Sequence, residues 1–309
     1  MKIAFDSRPA RDPRGIGRYV RCLLPALRET APEGATIAET DRARGADVFH
    51  APWIDGALLR SPVAQVVTLH DVIPLRRRSE YLRTGLRFRL RYLAVQRATM
   101  VIVPTRTVAT DAIERLGLDP DRVRVVGEAA APAFTPRPPE EVEAARARHG
   151  VPEDYLLWVG GLEHPEPRKR VRALAAAPRT LPLVLAGPAS RWARELGDVL
   201  VPGHDTDDDL AALYTGARAL VFASDDEGFG LPPVEALACG TPVAACDVPA
   251  LREVLGGRAT FVPRDDLGAL VAAAEAARRP APAPPPLTWR DAADATWDVY
   301  AEARRRSSR

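Results

Sequence analysis

The stretch Ser224-Asp225-Asp226-Glu227-Gly228-Phe229-Gly230-Leu231-Pro232-Pro233-Val234-Glu235-Ala236 joins an apolar run, a glycine-rich turn and the start of a helical pattern. Gly228 and Gly230 let a backbone come close to a ligand, because no Cβ stands in the way. Pro232 and Pro233 suit a first helical turn, where a missing N–H costs little. The free N–H groups and the positive end of the helix dipole then favour a diphosphate or a developing anion. Glu227 and Glu235 flank the turn. Carboxylates accept pairs of hydroxyls, so one can hold a sugar and the other a ribose. A strand leading through such a turn into a helix is the repeating unit of a doubly wound α/β sheet, which binds ligands at the C-terminal ends of its strands.

The same alternation runs outward in both directions. In the first half, strands are expected over 2–7, 47–51, 65–70, 100–105 and 122–127, with helices over 17–29, 80–99 and 105–116. In the second half, strands are expected over 155–160, 181–186, 219–224, 242–246 and 260–262, with helices over 170–177, 207–216, 232–238 and 267–278. Continuous Val/Ile/Leu runs followed by helices read as parallel strands buried on both faces. Between the two series lies a Pro-rich, charged segment, 131–154, with Pro136, Pro138 and Pro139. It reads as a linker. Near the C-terminus, Thr288 followed by Asp291 has the capping-box spacing and opens a last helix. The expected organisation is two Rossmann-like α/β domains, 1–135 and 155–287, joined by a linker at 136–154 and followed by a helix within 288–309. If the strand ends of the two domains face each other, the ligand sits in the cleft between them.

Composition agrees with a folded two-domain chain of 309 residues, 46% hydrophobic and 27% charged. Cys22, Cys239 and Cys246 have neither metal nor redox spacing, and scattered thiols fit a reducing cytoplasm. An acid at Asp6 comes too early for a signal peptide, and no apolar run is long enough to span a bilayer. A cytoplasmic protein is therefore expected, in contact with a membrane only at its inner face if at all. Charge is uneven: residues 1–150 carry 25 Lys+Arg against 18 Asp+Glu, and the remainder 18 against 23. Only two of the 43 basic residues are lysine, Lys2 and Lys169.

Lys169 belongs to a second motif, Trp158-Val159-Gly160-Gly161-Leu162-Glu163-His164-Pro165-Glu166-Pro167-Arg168-Lys169-Arg170. A glycine pair at a strand end ahead of clustered cations suits a diphosphate. A third motif, Arg14-Gly15-Ile16-Gly17-Arg18-Tyr19, follows the first strand but lacks the third glycine of a dinucleotide fingerprint. A fourth, Thr68-Leu69-His70-Asp71, puts a histidine at a strand end.

Two glutamates eight residues apart carry little by themselves, since 18 Glu in 309 residues give about one such pair by chance. In their context of Gly-Phe-Gly-Leu and the following Ala238-Cys239-Gly240-Thr241-Pro242-Val243, however, they resemble the signature of family 4 of the retaining glycosyltransferases, which have the GT-B fold. The resemblance extends over nearly the whole chain and implies specific roles. Glu227 would contact the transferred sugar and Glu235 the nucleotide ribose. Gly228, Phe229, Gly230 and Leu231 would offer backbone N–H groups to sugar and phosphate. Gly161 and the cations Arg168 and Lys169 would meet the donor diphosphate, with Arg170 as an alternative for either. Gly15 and Gly17 would approach the donor phosphate, and His70 the anomeric carbon. The loop Pro202-Gly203-His204-Asp205 would lie near the base, and the C-terminal helix would cross back to the first, acceptor-binding domain.

The resemblance thus implies a retaining hexosyltransferase that needs no cofactor beyond a nucleotide-sugar donor. The loop 14–19 is similar to that of mannosyl- and rhamnosyl-type enzymes, which points to GDP-mannose. The acceptor would be a glycan, a lipid-linked saccharide or a small molecule, as in polysaccharide biosynthesis. No Asp-x-Asp motif stands at a strand end, so no metal is expected; Asp207-Asp208-Asp209 reads as a helix N-terminus. Residues 76–97 hold eight arginines interleaved with apolar residues. They read either as a peripheral membrane contact or as a solvated helix with one buried face. No continuous basic track suits nucleic acid. Alternative readings are a sugar phosphorylase, a nucleotide-sugar epimerase, or a non-catalytic nucleotide-sugar-binding partner of another transferase. The missing fingerprint argues against a nicotinamide enzyme.

Overall fold

A computed structural model describes residues 1–77, 85–202 and 206–308. It divides into two compact units, Met1–Glu128 with Leu287–Arg309, and Ala129–Pro286.

The first unit contains β1 (Lys2–Phe5), β2 (Thr36–Glu39), β3 (Val48–Ala51), β4 (Ala64–Thr68), β5 (Met100–Val103) and β6 (Val123–Val125) in the order β2-β1-β3-β4-β5-β6. Every pairing is parallel. β3, β4 and β5 are buried along their length, as their unbroken apolar runs require. β2 was not expected. Its sequence, Thr-Ile-Ala-Glu, is almost entirely exposed at the sheet edge, so only backbone pairing with β1 marks it as a strand. The winding direction reverses between β1 and β3, which makes their C-terminal ends the switch point where such sheets bind ligands.

The helix Gly15–Glu29 starts two residues before the expected position 17, directly after the extended Arg14. A Cβ on Gly17 would lie 1.8 Å from the Asp12 carbonyl oxygen and 2.7 Å from that of Pro9. The turn 8–12 thus rests directly on this glycine. Gly17→Ala is expected to destabilise the chain by about 1–3 kcal/mol, because backbone must move to admit the methyl; a urea midpoint equal to wild type would contradict this packing.

The helix Trp289–Ser307 belongs to this unit. Its capping box is formed: Thr288 Oγ1 accepts from the Asp291 N–H at 3.1 Å, and Asp291 Oδ2 accepts from the Thr288 N–H at 3.0 Å. Trp297 Nε1 donates to the Leu27 carbonyl at 3.1 Å. Of the basic stretch 76–97, residues 78–84 lie outside the described residues. The helix Gly85–Arg97 buries Tyr92, Ala94 and Val95. Arg76 pairs with Asp111 at 2.9 Å and Arg91 with Asp55 at 2.6 Å. Among the described residues, no helix is long and apolar enough to cross a membrane.

The second unit contains β7 (Leu156–Val159), β8 (Leu183–Ala186), β9 (Ala219–Phe222), β10 (Val243–Cys246) and β11 (Thr260–Val262) in the order β11-β10-β9-β7-β8, again all parallel. Its switch point falls between β7 and β9. The expected linker 136–154 is corrected here: most of it is the helix Pro139–His149. The prolines read as breakers stand where a helix tolerates them, Pro138 as N-cap and Pro139 at the first position, and Gly150 closes the helix at φ +64°. Only Val142 and Ala145 are buried, so the helix has little apolar stripe to announce it.

Candidate active site

Both motifs singled out in the second half of the sequence leave the sheet at its switch point. Gly160 and Gly161 follow β7, and the segment 223–230 follows β9. The two loops are tied together. The Asp225 N–H donates to the Arg168 carbonyl at 3.0 Å, and Arg168 Nη1 donates to the Asp226 carbonyl at 3.1 Å. Arg168 Nη1 also lies 2.7 Å from Glu227 Oε1. The guanidinium of Arg168 is therefore divided between Glu227, a backbone carbonyl and Glu166, whose Oε1 accepts from Nε. Glu227 remains accessible, with 13% of its side chain exposed.

Lys169 closes the short 3-10 turn Pro167–Lys169. Its Nζ lies 3.6 Å from Glu166 Oε2 and 5.8 Å from the centroid of the Trp158 ring. A Cβ on Gly160 would come within 2.7 Å of that ring and 3.3 Å of Nζ, so the glycine makes room for both. Burial lowers the pKa of Lys169, with Arg168 adding to the effect and Glu166 opposing it. Burial alone would raise the pKa of Glu166, but the charges of Arg168 and Lys169 outweigh it and the net shift is downward. Glu166 was not singled out in the sequence, yet its carboxylate touches both cations. Arg170, the one non-glycine with positive φ among the described residues, at +53°, turns away and donates to the Arg264 carbonyl. This leaves Arg168 and Lys169 as the pair facing the loop of Glu227.

Gly230 caps the helix Leu231–Ala238 at φ +92°, a conformation suited to glycine. No side chain caps this helix, and Pro232 and Pro233 sit in its first turn as expected. Phe229 and Leu231 are buried beside it. Glu235 is 0% exposed and accepts from the Tyr214 hydroxyl at 3.1 Å, so its carboxylate is already engaged inside the unit. His204 lies outside the described residues.

In the first unit, the C-terminal strand ends collect a polar cluster that the sequence reading caught only at His70. Asp6, fully buried after β1, accepts from Arg8 Nε at 2.7 Å and Nη2 at 2.8 Å, and from Trp53 Nε1 at 3.0 Å. Its pKa falls because these donors outweigh the effect of burial. His50, at the end of β3, lies 2.6 Å through Nδ1 from the Tyr300 hydroxyl and 2.9 Å through Nε2 from Thr68 Oγ1. The Tyr19 hydroxyl lies 3.1 Å from the same Thr68 oxygen. His70 contacts Glu128 and Pro52 and packs edge-on against Tyr19 at 4.7 Å. A search of strand ends for isolated polar residues would have found Asp6, Thr68 and Glu128.

Comparison with known proteins decides what this arrangement belongs to. Residues 3–129 match the model of Glycosyltransferase Family 4, and residues 153–278 that of Glycosyl transferases group 1. The chain belongs to glycosyltransferase family 4. Among its relatives, the family 4 chain is 31% identical over 231 residues to the serotype-specific mannosyltransferase WbdA of Escherichia coli, covering 66% of itself and 28% of that protein. It is 32% identical over 297 residues to the D-inositol 3-phosphate glycosyltransferase of Salinispora arenicola (strain CNS-205), covering 83% of itself and 64% of the relative. The chain thus spans less than two thirds of either protein. Among solved structures, Anabaena Alr3699/HepE in complex with UDP-glucose superposes with a TM-score of 0.68 at 17% identity, over 99% of this chain and 95% of that one. The two α/β units of the family 4 chain are those of the GT-B fold.

Proposed function

We propose that the chain is a retaining hexosyltransferase that uses a nucleoside-diphosphate sugar without a metal ion, the second unit holding the donor and the first the acceptor. The observation that carries this reading is the convergence of Arg168, Lys169, Glu227 and the helix start at Gly230 on the switch point of the second sheet. It supplies cations and the positive end of a helix dipole for a diphosphate, beside a carboxylate for sugar hydroxyls. Lys169, Arg168 and the helix N-terminus would stabilise the departing diphosphate electrostatically. The leaving phosphate would take the acceptor proton as the acceptor attacks the face it vacates. Glu235 would take the ribose beside its contact with Tyr214, since a carboxylate offers about four acceptor sites.

The names of the relatives bear on the substrates. WbdA is a mannosyltransferase and HepE was solved with UDP-glucose; the first supports mannose as the transferred sugar and the second a nucleotide-sugar donor, with GDP-mannose the specific proposal. Incubation with GDP-mannose and a panel of glycan, lipid-linked and small acceptors, without divalent metal, is expected to yield a mannoside of unchanged anomeric configuration. An inverted product, or a strict metal requirement, would refute the mechanism.

Glu166 carries a further expectation. Its carboxylate rests on the two cations assigned to the diphosphate, so the donor must displace it. Glu166→Gln is expected to bind nucleoside diphosphate about 2- to 5-fold more tightly in calorimetric titration, the gain from one removed, partly solvated ion pair. Weaker binding would mean that Glu166 orients the cations instead.

A further inference from the structure

The transfer proposed above assigns nothing to Glu128. This residue is buried just after β6, 4% exposed, and its Oε1 lies 3.1 Å from His70 Nδ1. The other ring nitrogen, Nε2, lies 3.0 Å from the Pro52 carbonyl oxygen. A neutral imidazole has one N–H and one lone pair. Beside an ionised Glu128, either neutral tautomer would set a nitrogen lone pair against an oxygen lone pair at one of these contacts. Only the imidazolium donates to both oxygens.

We propose that Glu128 is a positioning residue that holds His70 as an imidazolium with both N–H groups turned into the protein. His70 then offers fixed positive charge, and no base, to a substrate at the strand ends. The inference takes from the proposed function only that His70 borders the substrate.

The surroundings fit a locked, charged ring. Tyr19 lies edge-on at an interplanar angle of 86° and is itself held by Thr68. The titratable groups facing His70 are Tyr19 from the helix Gly15–Glu29, His50 from β3, Glu128 from the segment after β6 and Asp71 on its own segment. Burial works against the charge. The hydrogen bond and charge of Glu128, the Pro52 carbonyl and Asp71 outweigh it and leave the His70 pKa above its ordinary value. His50 moves the other way, pushed down to about 3 by burial and then by the charge of His70. The two neighbouring histidines are thus shifted in opposite directions. A raised folded pKa means that the pair stabilises fully at pH below the unfolded histidine value. That contribution is lost as pH rises through the folded value.

Imidazole nitrogen NMR on the full chain tests this, because nitrogen shifts separate the imidazolium from both neutral tautomers. The chain has five histidines, and His70→Asn assigns the signal. Both His70 nitrogens should be protonated at pH 6.5, with a titration midpoint above the ordinary histidine value of about 6.5. Glu128→Gln should lower that midpoint by about 1 pH unit or more, and Glu128→Asp should recover part of the loss. A neutral His70 in the wild type at pH 6.5, or a Glu128→Gln chain that titrates like wild type, overturns the proposal. The wild-type spectrum decides even if the glutamine variant misfolds. The readout is independent of turnover: a charged His70 in a chain that transfers no sugar would sink the proposed function and leave this inference standing.

Discussion

Glu227→Ala is expected to lower kcat by about 10²-fold or more while the chain stays folded. The side chain is partly accessible and lies outside the apolar core, where it pairs with Arg168. Arg168 keeps Glu166 and the Asp226 carbonyl in the variant, so no buried charge is stranded. The loss should therefore appear in turnover, with the thermal midpoint little changed. A carboxylate that accepts sugar hydroxyls more strongly as positive charge develops at the anomeric carbon acts on the transition state, so kcat and kcat/KM should fall together. Glu227→Gln separates the two contributions, since it keeps the shape and one acceptor oxygen but loses the charge. Near-normal turnover in the alanine variant would remove Glu227 from the chemistry.

The second large effect concerns Lys169, and here the expected result discriminates between charge and shape. Lys169→Ala should lower kcat/KM for the donor by about 10-fold or more, because a partly desolvated cation–phosphate contact is lost. Lys169→Arg should do nearly as badly. The ammonium sits against the Trp158 ring and within 3.3 Å of where a Cβ on Gly160 would stand, a space that suits a compact charge and not a planar fork. This also explains why a chain with 41 arginines among its 43 basic residues keeps a lysine here. Full activity in Lys169→Arg would show that only net charge is needed.

Much of the fold was legible because buried parallel strands write themselves as unbroken apolar runs. The expected strands 65–70 and 219–224 became Ala64–Thr68 and Phe222-ending Ala219–Phe222, trimmed where the chain turns toward the strand ends. The helix Asp207–Gly216 matched its expected bounds because Thr206 caps it and three acids follow. What escaped was structure without an apolar signal. β2 is held by backbone pairing at an exposed edge, and the helix Pro139–His149 hides behind prolines that suit a helix start. The site divides the same way. Glu227, Arg168 and Lys169 are brought together by loops whose glycines mark them in sequence. Glu128 and His70 lie 58 residues apart and meet only because β4 and β6 end on the same side of one sheet, which no local spacing records. Glu166 stands between the glycine pair and the cations of a motif read only for those residues, and its role emerges only from its contacts with both charges.

The most direct test is a titration of GDP, UDP and ADP, and of their sugars, without metal, into the wild-type chain and Lys169→Ala, followed by thermal shift. A ligand at 100 times its dissociation constant adds about 2.7 kcal/mol to stability. One nucleotide series should raise the melting temperature of the wild type and lose most of that effect in Lys169→Ala. A wild-type chain that no nucleotide stabilises, or a shift that Lys169→Ala leaves unchanged, would contradict a donor site at the switch point of the second sheet.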